Sequence, residues 1–305
     1  MKKEILSMPY YHFLIVFLIA GLGILLGSFF DYDASTFIVH QGTFLGKAIE
    51  GFGVFFGCLM IVLGSTMLFK SLIRYRFVLI KILSFILLFA GLVISSYIAA
   101  SFIKDSKPTN VIYGLSFSSM YSYIIAGSIN LVLVILALIM IKSEDKEYLL
   151  RAGLAIILTM ILQYAIIHFI KVFACRPRFR FLVDTDLNVT DETFKAWWEF
   201  NPFAFKDDSH KSWPSGHTGT ASVCLLLPLI APVLRHPFKH ARGFLFTLGL
   251  VFIFFVAFMR VFHGAHFISD VSFGLLITLL ISLLMVLLFD KLFRKRKSIL
   301  TQNLS

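Results

Sequence analysis

Pro214-Ser215-Gly216-His217 stands where a polar segment gives way to an apolar run, 218–234. A helix starting there presents open backbone N–H groups and the positive end of its dipole, which favours an anion. Proline suits the first turn, Ser215 can cap the helix and donate to an anion's oxygen, and Gly216 lets a ligand approach the backbone. His217 puts a titratable group beside that position. A second stretch runs from Arg260 through His263 and His266 to Asp270. His266 and Asp270 are four apart and share a helix face. The carboxylate is expected to hold one imidazole N–H and leave the other nitrogen free as a nucleophile. Asp270 lies near the start of an apolar run, where an unpaired carboxylate is costly, so His266 is its expected partner. His263 competes for the nucleophile's role and ranks below His266, being two turns from Asp270. The third stretch carries Lys171, Arg176 and Arg178 at the end of another apolar run. Arginine suits bidentate contacts to phosphate and lysine suits point-charge contacts.

Each stretch alone has a plainer reading: interfacial anchors, a helix start with a surface histidine, a structural His–Asp contact. Together they describe phosphoryl transfer. The cations and the helix N-terminus bind a phosphate and stabilise charge on its equatorial oxygens. His266 attacks phosphorus to form a phosphohistidine. His217 protonates the leaving oxygen and then activates water. Neither a carboxylate cluster nor Cys/His metal spacing is visible, so no metal and no cofactor is expected.

Apolar spans must position these residues. Of 305 residues 58% are hydrophobic and 15% charged, with a mean hydropathy of +0.87; soluble domains average about a quarter charged. Eight segments suit a hydrocarbon core of about 30 Å: 10–30, 51–69, 77–100, 121–141, 151–172, 217–234, 244–262 and 267–289. The expected fold is all-α, a polytopic membrane helical bundle. The first segment is too long for a signal-peptide core and reads as a retained helix. Cys58, Cys175 and Cys224 suggest no disulfide framework.

The N-terminus and every second loop after it hold 17 of the 28 Lys and Arg residues, so both termini are expected in the cytoplasm. The loop 173–216 and the turn 263–266 then share the outer face. The net charge of +11 is assigned to such loops and to a basic tail, not to nucleic-acid binding. Arg294–Lys297 reads as an anchor on anionic lipid. The long loop holds Trp197, Trp198 and Trp213, and Phe194–Phe205 is expected to lie on the bilayer as an amphipathic helix.

The three stretches resemble the signatures of the type 2 phosphatidic acid phosphatase (PAP2) superfamily: Lys-x6-Arg-Pro, Pro-Ser-Gly-His and Ser-Arg-x5-His-x3-Asp. The second is intact at 214–217. The third is Arg260-x5-His266-x3-Asp270, with Met259 in place of serine. The first is Lys171-x6-Arg178, with Phe179 in place of proline; the spacing favours Arg178 as the motif arginine and leaves Arg176 as a phosphate-side helper. The resemblance implies metal-independent hydrolysis of a lipid phosphate or diphosphate, of the polyprenyl diphosphate, phosphatidic acid or phosphatidylglycerophosphate type. His266, His217 and Asp270 would be catalytic, and Lys171, Arg178, Ser215, Gly216, Arg260 and Arg176 would hold phosphate. It also implies a six-helix core, placed at 71–290, behind a two-helix extension, 1–70, and ahead of a basic tail, 291–305. The alternatives are a lipid phosphotransferase using the same site, or a non-catalytic lipid-phosphate transporter. The choice of lipid and the oligomeric state stay open.

Overall fold

The computed structural model describes residues 4–6, 8–40, 48, 51–105, 119–142, 144–184, 194–200, 202, 208–236 and 238–302. A two-residue antiparallel pairing, Glu4–Ile5 with Met8–Pro9, precedes the helices. These are α1 (Tyr10–Ile38), α2 (Phe55–Leu72), α3 (Val78–Asp105), α4 (Ser119–Met140), α5 (Lys146–Ala174), the short α6 (Phe179–Asp184), α7 (Gly216–Ser222), α8 (Ala241–Phe262) and α9 (Ile268–Gln302). A 3₁₀ helix, Val223–Val233, continues α7. Among the described residues, eight helical spans are long and apolar enough to cross a membrane. Their outward faces are apolar as well, as at Leu79 and Phe89, which is the surface lipid requires.

Helix α1 lies along α9, α2 lies along α5, and α5 contacts both α7 and α9. Helix α8 packs on α7 and its 3₁₀ continuation. Helix α3 packs on α2, and α4 packs on α3 and α2. The main buried core draws side chains from α1, α2, α4, α5, the 3₁₀ continuation of α7, α8 and α9, with α3 residues such as Leu88 and Leu92 packed against it. Helix α1 meets α9 through a small, polar face: Ala20, Gly27, Asp31 and Ser35 are buried. A Cβ at Gly27 would sit 2.6 Å from the Ser269 backbone nitrogen, so only glycine admits α9 this closely.

The sixth span has only 18 residues, Gly216–Val233. Pro228 and Pro232 lie within it, each lacking a backbone N–H, and the chain winds as 3₁₀ helix from Val223. The tighter helix rises farther per residue. Seven α residues and eleven 3₁₀ residues together reach about 32 Å, against about 27 Å for one α-helix of that length. The 3₁₀ stretch thus lets a short segment match a core of about 30 Å.

Basic residues at the far end tie loops together. Lys70 donates to the carbonyls of Leu138, at 2.6 Å, and Ile141, and Arg235 N donates to Met140 O at 2.7 Å. At the opposite end the chain does not form the amphipathic helix expected from Phe194. Residues 194–200 make an irregular segment with a turn at Trp197–Trp198. Trp197 turns onto the protein: it stacks on Trp213, lies 4.5 Å from the Phe273 ring, and donates Nε1–H to Ser28 Oγ at 2.9 Å. Residues 201 and 203–205 of that stretch, and the side chains of Arg294–Lys297, lie outside the described residues.

Candidate active site

Three local structures meet at that end: the last turn of α5, the first turn of α7 and the turn joining α8 to α9. Between them lies a cavity of ≈ 260 Å³. Lys171, Arg178, Gly216, His217, Arg260 and His266, all singled out from the sequence, line it. Tyr164, His168, Thr220, Arg180, Asp208 and Lys211 line it too, with Phe102 reaching in from α3.

Each group is placed by its own stretch of backbone. Helix α5 ends at Cys175, whose positive φ of 46° turns the chain sharply after Lys171. Lys171 Nζ donates to Lys211 O at 2.5 Å. Arg178 donates from Nη2 to Asp208 Oδ2 at 2.9 Å, and its backbone N–H bonds Ser209 O at 2.8 Å. Ser215 caps α7, its Oγ accepting from Thr218 N at 3.4 Å, and its own N–H bonds Asp270 O at 2.9 Å. Gly216 leaves cavity space where a side chain would stand; a Cβ there would meet Lys171 Cε at 3.7 Å. The His217 ring rests edge-on against Phe102, 4.6 Å between centroids. Arg260 O accepts from Ala265 N and His266 N, closing the turn, and Gly264 takes a φ of +66° within it.

The His266 ring is oriented by a partner the sequence did not suggest. Its Nδ1 lies 2.7 Å from Ser212 O, whereas Asp270 Oδ2 is 3.7 Å away, beyond a hydrogen bond. A carbonyl only accepts, so Nδ1 carries the hydrogen and Nε2 keeps the lone pair. Asp270 is instead held by Ser212 Oγ (2.5 Å), Phe267 N (2.9 Å) and Arg176 Nη1 (2.6 Å). His263, the competitor, is buried but does not line the cavity.

Arg176 is also absent from the cavity wall. Its guanidinium lies behind the site, bonded to Asp270, Asp31, Ser269 and Lys195 O, with Phe267 4.1 Å below it. Arg178, the arginine that the Lys171 spacing picked out, lines the cavity, and Arg176, expected as a phosphate-side helper, does not. Ser215 does not line the cavity either; its buried hydroxyl serves the cap. The two departures from the motif pack as apolar groups. Phe179 sets its ring edge-on to Phe267, and Met259 is buried.

Charge in the cavity is mostly positive. Burial pushes the His266 imidazole down to about 3, and Lys171, Arg260 and Arg178 act in the same direction; the nearby Asp270 opposes them. His266 is therefore neutral at neutral pH. Burial alone would raise the Asp208 carboxyl, but the Arg178 guanidinium and the Lys211 ammonium outweigh it and hold it below the usual carboxylate range.

Residues 152–294 match the family model of the PAP2 superfamily. That segment belongs to the PAP2 superfamily. It begins within α5 and ends within α9, and it contains every cavity residue named above except Phe102. Helices α1 to α4 lie before the PAP2 segment. Searches of curated proteins and of solved structures gave no match.

Proposed function

We propose that the protein is a membrane phosphatase that hydrolyses a lipid phosphate or diphosphate through a phosphohistidine on His266. The observation that carries this reading is the His266 ring: neutral, fixed with Nδ1–H on Ser212 O, and lining a cavity with Lys171, Arg178 and Arg260. Nε2 attacks phosphorus as the bond to the leaving oxygen breaks, and His217 gives that oxygen its proton. Water then attacks the phosphohistidine, giving its proton to His217 and releasing phosphate. The cations and the α7 N-terminus offset the charge on the phosphoryl oxygens, the work a divalent ion does elsewhere.

A second cavity supports a lipid as substrate. It holds ≈ 540 Å³ and is walled by α2, α3 and α5, through residues such as Ile61, Leu68, Leu87, Ile94 and Ile161. Tyr164 lines both cavities, so the apolar space adjoins the charged one. From Leu87 to Ile98 the groove follows α3 for about 16 Å, over half the depth of a hydrocarbon core of about 30 Å. A phosphorylated head and an apolar tail fit the two spaces in that order. Basic loops at the opposite end support an outward-facing site with cytoplasmic termini.

The test is phosphate release in detergent from phosphatidic acid, phosphatidylglycerophosphate and a polyprenyl diphosphate, with EDTA present. Release is expected with at least one of them, together with phosphate trapped on His266 in acid-free mass spectrometry. Activity abolished by EDTA, or phosphate trapped on His263, defeats the mechanism. A labelling probe that reaches Lys195 only from the cytoplasm defeats the orientation.

A further inference from the structure

Asp31 stands on α1, outside the PAP2 segment, and is 3% exposed within an apolar span. Its Oδ1 accepts from Ser269 N at 2.9 Å, and its Oδ2 accepts from Arg176 Nη2 at 3.0 Å and from Ser269 Oγ. Ser269 Oγ itself accepts from Arg176 Nη1 at 2.9 Å, which directs its hydrogen to Asp31. Each of these contacts to the Asp31 carboxylate thus comes from a donor, the arrangement of an ionised group. Arg176 then bridges two carboxylates, Asp31 and Asp270, both buried.

A buried guanidinium is neutralised by one carboxylate. A second leaves the trio with a net charge of −1, and an excess charge in an apolar interior is costly. That excess lies beside the His266 ring, since Asp270 Oδ2 is 3.7 Å from Nδ1. The ring needs negative charge nearby at one moment. When Nε2 bonds phosphorus while Nδ1 keeps its hydrogen, the imidazole becomes cationic. The neighbouring Lys171, Arg178 and Arg260 oppose that change.

We propose that Asp31 is a positioning residue for the nucleophile, acting through Arg176 and Asp270. It holds the first turn of α9 through the Ser269 N–H, and it supplies the negative charge that stabilises the His266 ring as it is phosphorylated. The inference rests on the phosphatase reading above.

Asp31→Asn tests it, because the amide keeps the shape and removes the charge. The expected result is a fall of at least tenfold in kcat and in the single-turnover rate of phosphohistidine formation. KM should stay within twofold and Tm near the parent value. Asp31→Glu keeps the charge and strains the geometry; it should lower Tm while retaining more kcat than Asp31→Asn. Should Asp31→Asn not fold, Asp31→Glu decides alone: kcat within tenfold of the parent at a lowered Tm supports the proposal, and a larger loss overturns it. An Asp31→Asn protein with parental kcat, or with a loss confined to KM, also overturns it. Full activity in His266→Ala would instead remove the phosphatase reading itself, whereas a dead His266→Ala beside a fully active Asp31→Asn removes only the role of Asp31.

Discussion

The Nδ1–H of His266 points to the Ser212 carbonyl at 2.7 Å, and the Asp270 carboxylate stands 3.7 Å off. Ser212 is thus the hinge of the site: its carbonyl sets the ring, its hydroxyl donates to Asp270 at 2.5 Å, and its N–H bonds Arg176 O at 3.0 Å. Two of these three bonds use backbone, so side-chain substitution leaves them in place. Ser212→Ala is expected to lower kcat by roughly tenfold, the order of one hydrogen bond to a charged group, with KM unchanged. Steady-state phosphate release checks this; a loss as large as that of His266→Ala would assign Ser212 a larger role.

Removing the histidines separates their roles. His266→Ala should abolish turnover, and His217→Ala should slow it by about 10²–10⁴-fold, the usual contribution of a general acid–base. His263→Ala should retain activity, because His263 lies outside the cavity. Rates from all three, with a leaving group of low pKa as second substrate, check the assignment. That substrate needs little protonation and should restore His217→Ala more than His266→Ala.

Acid should destabilise the protein through His266. Its folded-state value, about 3, lies below the ordinary 6.5. As pH falls below about 6.5 the unfolded chain binds a proton that the folded chain refuses. Stability is therefore lost progressively between those values, with no contribution from this group above them. Tm measured from pH 7.5 to 4.5 should fall less in His266→Gln than in the parent. Equal falls would show that the ring is not held neutral by burial.

Gly264 adopts φ +66°, and a Cβ there would lie 3.0 Å from Val39 and 3.3 Å from the Arg180 backbone nitrogen. Gly264→Ala should cost about 1–3 kcal/mol, read as a lower Tm. Because the turn carries His266, kcat should fall as well. A stable, fully active Gly264→Ala protein would contradict the geometry of this turn.

Filling the apolar groove should affect long substrates only. Ile161→Trp is expected to raise KM about tenfold for a long-chain lipid phosphate, the loss of roughly 1.4 kcal/mol of tail binding, and to leave KM for a short-chain phosphate unchanged. Equal effects on both would place the tail elsewhere.

Much of this was legible in the sequence because membrane crossings are written as long apolar runs and phosphate chemistry as a few residue types at set spacing. The eight spans fall close to where hydropathy puts them. Six of the residues picked out for chemistry line one cavity. What escaped were contacts that no local pattern encodes. Asp31 was placed just past the end of a span read as 10–30; the helix runs on to Ile38 and buries it. Ser212 acts mostly through backbone atoms, which carry no signature in residue type. Arg176 and Arg178 differ by two positions, and only the αL turn at Cys175 decides which faces the cavity.

Asp31 and Ser269 are 238 residues apart in the chain, and Asp31 and Arg176 are 145 apart. Helices α1 and α9 pack along each other, and this bonded group lies between them, so synthesis order matters. While the earlier spans enter the membrane, α1 carries a carboxylate whose partners have yet to be made. His266 and Asp270 arrive with the final crossing. This end therefore closes only once α9 has been made, and, on the mechanism proposed above, a chain that stops before α9 has no nucleophile held in place.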